Sequence, residues 1–177
     1  VTGGIDLSVT ATVALASVAG ARIMTETGGA FPGNAALGIA AMLAVGVGLG
    51  LVTGLAVARL RMPSFLATLA VMTFASGFAI WWTRSQGIAG LPASFRALGG
   101  TTFGGAPFSL LVVVPLALLA HLLLSRTVFG RWLYAVGGNA RAARVSGVPV
   151  ESVLVLAYMA CGLCAAVAAV LYSARLE

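Results

Sequence analysis

The sequence predicts an all-α membrane protein, a polytopic transmembrane helix bundle of about five spans with one further helix outside the bilayer. Three observations carry this. Hydrophobic residues make up 60% of the chain and charged residues 8%, with a mean hydropathy of +1.09. Soluble domains carry roughly 25% charged residues, and a chain of 177 residues cannot hide so much apolar surface from water. The apolar residues gather in runs of helical length without strand alternation. In lipid only helices or closed barrels satisfy their own backbone hydrogen bonds, so the runs read as helices. Arginines sit at the ends of these runs, where membrane topology signals lie.

The runs are 7–24, 35–58, 63–82, 108–124 and 153–172. Crossing the hydrocarbon layer takes about 20 helical residues; the second, third and fifth runs meet that length, and the first and fourth are marginal. Before the first run stands Thr2-Gly3-Gly4-Ile5-Asp6-Leu7-Ser8. Asp6 has two compatible readings there. It is an N-cap accepting backbone N–H groups of the first turn, or the polar end of a broken helix that lines a path through the membrane. In the second run Gly46, Gly50 and Gly54 recur every four residues, which puts them on one face for close helix packing. Residues 83–107 are rich in Gly, Pro, Ser and Thr and read as an external loop with room for a short re-entrant piece. Pro115 frees the carbonyl of Leu111 and predicts a kink in the fourth run. In the fifth, Gly162, Ala165, Ala166 and Ala169 form a second small-residue surface. Val1 and Glu177 both read as cuts, so the helix count is a lower bound, and no signal peptide is visible.

The net charge of +6 comes from ten arginines against four acids, without lysine. Arg59 and Arg61 follow the second run; Arg126, Arg131, Arg141 and Arg144 follow the fourth. Alternation puts both loops on one side, which the positive-inside rule makes cytoplasmic. Arg22, Arg84, Arg96 and Arg175 fall on the other side. This placement is a topology signal and not a nucleic-acid surface. Without lysine there is no P-loop, so any ATP is hydrolysed by a partner.

Few residues are placed for chemistry. His121, the only histidine, lacks a metal cluster or nucleophile beside it and reads as an interface residue or an interhelical hydrogen bond. Cys161 and Cys164 form a C-x-x-C in an apolar setting that leaves thiols inert, and they read as small packing residues rather than a metal site. The loop 125–152 is richer. Asn139 is a good cap, Ala140 to Val145 favours helix, and Gly147 can terminate it. The short helix is either an interfacial one held by lipid headgroups or a knob that docks into a cytoplasmic partner. Its alanines favour the knob, because they allow close packing and offer lipid little apolar area.

Three stretches give the chain a resemblance to the membrane subunits of monosaccharide importers, the ribose/xylose/galactose-type ATP-binding-cassette permease family. They are Thr2 through Val9, Phe65-Leu66-Ala67-Thr68-Leu69 with Met72-Thr73, and Gly130-Arg131 through Gly147; the ending Ala174-Arg175-Leu176 also fits. Thr10 and Ala70 stand where glycines are usual, and Ser76 replaces a common arginine. The resemblance implies that residues 1–177 are a partial transmembrane permease domain, with 125–152 a cytoplasmic loop carrying a coupling helix. It implies ATPase contacts at Asn139, Arg141, Ala142, Ala143, Arg144, Ser146 and Gly147. Partners would be a cassette ATPase that binds the ATP and magnesium, a second permease subunit in a homodimer, and an extracytoplasmic sugar-binding protein, in a bacterial cytoplasmic membrane. The chain itself would be a transporter subunit without catalytic residues or cofactor. Its weak sugar contacts would come from Asp6, Ser8, Thr68 and Thr73. Competing readings are a permease for branched-chain amino acids or nucleosides, an ion-coupled secondary transporter, and an intramembrane enzyme using Asp6 and His121.

Overall fold

The computed structural model describes residues 2–25, 30–103 and 105–176. Its elements in chain order are α1 (Val9–Met24), α2 (Ala35–Ala58), α3 (Ser64–Thr83), α4 (Ala93–Gly100), β1 (Thr102–Phe103), β2 (Ala106–Pro107), α5 (Phe108–Arg126), α6 (Val128–Val145) and α7 (Val150–Leu176). The helices α2, α3, α5 and α7 are long and apolar enough to cross a membrane, and α1 is apolar but shorter. At 1.5 Å per residue its 16 residues span about 24 Å, against a layer of roughly 30 Å. The non-helical segment 2–8 ahead of it makes up part of the difference.

The bundle is organised around an antiparallel contact between α2 and α7. Gly46 faces Gly162 and Ala166, Gly50 faces the carbonyl of Tyr158, and Gly54 faces Val155. A Cβ at Gly54 would lie 2.8 Å from the Val155 Cα, and one at Gly46 or Gly50 would collide with backbone oxygen of α7. Between helices in lipid the attraction is van der Waals packing, which grows as backbones approach. The first helix repeats this chemistry: Gly20 and Gly38 approach one another, with Met42 and Met24 folded over them. Asn34 caps α2 by accepting the N–H of Leu37 at 3.1 Å. Helix α3 lies against α1, where Ala75 and Ala79 meet Ala11 and Leu15.

Antiparallel packing sorts the turns. With Gly54 beside Val155, the α2–α3 turn bearing Arg59 and Arg61 emerges at the same end as the α6–α7 turn. At the opposite end Arg22 donates to the carbonyl of Trp82 at 2.7 Å, and Gly99 sits on the carbonyl of Ala174.

Two stretches hold more helix than their loop readings expected. Residues 83–107 are not simply loop: α4 forms there, and Phe95 is fully buried among Met24, Met42, Ala169 and Ala174. The glycines limit that helix to eight residues without preventing it. The stretch 125–152 is helical over most of its length, since α6 begins at Val128, where Thr127 accepts the N–H of Gly130 at 3.1 Å. Leu133 and Val136 anchor it on Val150 and Val153 of α7. Helix α5 runs through Pro115 as one element and fully buries none of its residues; Leu110, Leu111, Leu118, Leu119 and Leu122 are exposed, whereas Leu124 packs against the α6–α7 cluster. His121 lies exposed on α5, and its imidazole makes no hydrogen bond to another helix among the described residues.

The glycine seam gives a direct test. Gly50→Val forces a side chain into the Tyr158 backbone and should lower the thermal midpoint in detergent sharply, by the equivalent of about 1–3 kcal/mol or more. Gly48→Ala, with nothing within 4 Å of the added Cβ, should leave the midpoint unchanged or raise it. Equal effects of the two substitutions would show that the seam does not hold the bundle.

Candidate functional site

Two features stand out at the arginine-rich end. The first is a break in α6. Asn139 leaves helical geometry (φ −158°, ψ 102°), and its side-chain oxygen accepts the N–H groups of Arg141 and Ala142, each at 3.0 Å. That is an N-cap inside one continuous run of helix, and it starts a new segment from Ala140 to Val145. The Ser146 N–H returns to Ala142 O, and Gly147 turns the chain with φ +84°, which glycine adopts without steric cost. Arg141, Ala142, Arg144, Ser146 and Gly147 are exposed, and Val145 is 91% exposed. Ala143 is the exception: it is buried on Leu133, Val136, Val150 and Val153. It anchors the segment from within and is not on the outward surface. Arg144 pairs with Glu151 at 2.7 Å across the turn. Both side chains are about half exposed, so the pair is worth roughly 0–1 kcal/mol.

The second feature is the strap 2–8. Thr68 donates to the Ile5 carbonyl at 3.3 Å, and a Cβ on Gly4 would lie 2.5 Å from the Tyr158 hydroxyl. Tyr158 is eight residues into α7 from Val150, about 12 Å along the axis. The strap is therefore irregular backbone packed among spanning helices. Lipid does not tolerate such backbone unless protein buries it or it lines a cavity. Here it does both.

Asp6 does not cap α1 as expected. The cap position belongs to Ser8, and the Asp6 carboxyl accepts the Ser8 N–H at 2.9 Å and its hydroxyl at 2.6 Å through one oxygen. Asp6 lines a cavity of about 300 Å³ together with Thr2 and Gly4 of the strap, Phe129 and Leu133 of α6, and Tyr158 and Cys161 of α7. Cys161 lies within electrostatic reach of that carboxyl. Cys161 is half-buried on the cavity wall and Cys164, one turn further along α7, is exposed; both are free thiols. The Tyr158 hydroxyl is buried beside Ser64 yet makes no well-formed hydrogen bond among the described residues. Leaving such a group unmade costs roughly 1–3 kcal/mol.

The four residues named as sugar contacts do not form one set. Asp6, Ser8 and Thr68 gather around the strap, with Thr68 fully buried and its hydroxyl engaged by Ile5 O and Phe65 O. Thr73 is exposed on another face of α3 and donates to Leu69 O at 3.0 Å. Sequence reasoning missed Tyr158. Its available signal was a hydroxyl inside an apolar span, three residues from Cys161 and so on the same helix face.

Comparison with known proteins places the chain among relatives by sequence. The family described as "Branched-chain amino acid transport system / permease component" matches residues 1–177. The ribose import permease protein RbsC of Escherichia coli is 34% identical over 180 residues, covering 99% of this chain and 54% of that relative. Its namesake in Bacillus subtilis is 37% identical over 184 residues, with the same coverages. The L-arabinose ABC transporter permease protein AraH of Azospirillum brasilense is 32% identical over 175 residues, 99% of this chain and 50% of that protein. The chain thus spans about half the length of these curated relatives. No solved structure matches it.

Asn139→Ala removes the cap and should cost about 1 kcal/mol locally. Hydrogen exchange of the amides of residues 141–146 should speed by roughly five- to tenfold, with α7 unchanged. Unaltered exchange would mean that packing through Ala143 alone holds the segment.

Proposed function

Because the chain belongs to the family of branched-chain amino acid transport system permease components, we propose that it is the membrane-spanning permease subunit of a binding-protein-dependent ATP-binding-cassette importer. Its cargo is a monosaccharide, as the names of the ribose and arabinose relatives suggest. The membrane is the bacterial cytoplasmic one, with the arginine-rich end inside. One observation carries the reading: a short helix, capped by Asn139 and closed by Gly147, displayed with small and basic side chains at the arginine-rich end.

The mechanism follows from rigidity and place. A cassette ATPase grips the Ala140–Val145 segment through Arg141, Ala142 and Gly147. ATP and magnesium bind in that partner, since the absence of lysine removes the P-loop from this chain. Closure of two ATPases moves two copies of the segment. The displacement passes through Ala143 to the Leu133–Val153 cluster and so to α6 and α7. The permease dimer thereby shifts between two packings of its helices, one open outward to the binding protein and one open inward. This chain contributes no covalent step.

A branched-chain amino acid is the second reading, favoured by the family's own description. Against it, none of the residues lining the cavity beside Asp6 carries a positive charge to pair with an α-carboxylate.

Ala142→Glu or Gly147→Trp in the full-length complex should reduce radiolabelled sugar uptake to background while membrane insertion stays normal. Transport-coupled ATP hydrolysis should fall with it. Full uptake and unchanged hydrolysis in both variants would refute a coupling role for this segment. Uptake of L-leucine but no sugar by the unaltered complex would select the second reading.

A further inference from the structure

We propose that the groove between the glycine strap, α5, α6 and α7 is a passage subsite for a neutral polyhydroxylated ring, with the Asp6 carboxyl and the Tyr158 hydroxyl as its hydrogen-bonding pair. This rests on the reading of the chain as a sugar permease and names the residues that touch the cargo.

Four observations converge. The cavity of about 300 Å³ is of the size of small-molecule sites. The Asp6 carboxyl accepts from Ser8 through one oxygen and otherwise meets the Cys161 thiol, a weak donor that a ligand hydroxyl outcompetes. A carboxyl oxygen left in that state accepts strongly from a ligand hydroxyl. The Tyr158 hydroxyl is buried and unpaired, so a ligand that offers an acceptor relieves a standing cost. What covers that hydroxyl is Gly4, preceded by Gly3 at φ +76°. A strap without side chains at this point moves aside with little resistance, and the hydroxyl then joins the groove.

The rest of the wall selects the class of ligand. Phe129 and Leu133 give an apolar surface that suits the C–H face of a sugar ring. The absence of a cationic side chain among the lining residues, with a carboxyl present, disfavours anions such as sugar phosphates. Two polar groups on a mostly apolar wall also suit transit, because a passage site that binds firmly does not release.

Cys161 on the groove wall supplies the readout. The full-length permease is reconstituted with its ATPase and binding protein, in a Cys164→Ser background, and labelled with a membrane-permeant maleimide. D-ribose or L-arabinose, whichever the complex imports, should slow labelling of Cys161 about fivefold or more at saturation. Asp6→Asn and the near-isosteric Tyr158→Phe should each remove that protection. They should also raise the uptake KM roughly tenfold, the loss of one good hydrogen bond, while ATP hydrolysis stimulated by the binding protein persists. Sugar import with no protection of Cys161, or an unchanged KM in Tyr158→Phe, overturns the subsite while leaving the permease reading intact. A Cys161 that labels equally slowly with and without sugar also overturns it. Absence of any sugar import by the unaltered complex defeats the permease reading itself, and the subsite with it.

Discussion

Close approach of α2 to α7 is the constraint on which the other positions depend. Lipid tails are as apolar as leucine, so there is no gain in moving a large apolar side chain from lipid to a helix interface. What remains is contact at short range, and Gly46, Gly50, Gly54 and Gly162 permit it by removing the atoms that would stand between backbones. Tyr158 links this seam to the groove. Its carbonyl lies against Gly50, while its ring reaches the strap at Gly4. A change in the depth of the seam therefore alters the position of a polar group in the cavity.

The strap shows how a membrane bundle makes room for polarity. Its backbone is irregular between Thr2 and Ser8, yet each neighbour supplies something: Thr68 meets the Ile5 carbonyl, Ser64 lies 3.4 Å from the Ile5 N–H, and Asp6 holds Ser8. A continuous helix there would present only its side chains. The non-helical strap instead brings glycine backbone and the Asp6 carboxyl beside the Tyr158 hydroxyl of α7.

Much of this was legible in the sequence because it depends on local or one-dimensional rules. The four-residue glycine spacing placed the α2 face. Asn139 and Gly147 marked the ends of the exposed helix, since capping and positive φ are decided within a few residues. The arginine distribution predicted that the α2–α3 and α6–α7 turns share one end, as they do. Features requiring contacts between distant parts of the chain were not legible. Phe95 draws α4 out of a glycine-rich stretch only because Met24, Met42 and Ala174 form a socket for it. Ala143 points inward because α7 returns beneath it, and in the sequence it looks like its exposed neighbours. Thr73 shares a residue type with Thr68 but not a helix face, and Tyr158 acquires its place only when residues 4 and 158 meet.

Consider finally how lightly the exposed helix is attached. Its hold on the body of the protein is small, the methyl group of Ala143 and the exposed Arg144–Glu151 pair, between a bend at Asn139 and a turn at Gly147. Swivelling about a contact so small disturbs little apolar area, on the order of one CH₂ group or ~0.8 kcal/mol. Any load placed on the segment therefore reaches the bundle first at the Ala143 contact. Beyond it lies the stretch of α6 holding Phe129 and Leu133, which is a wall of the groove.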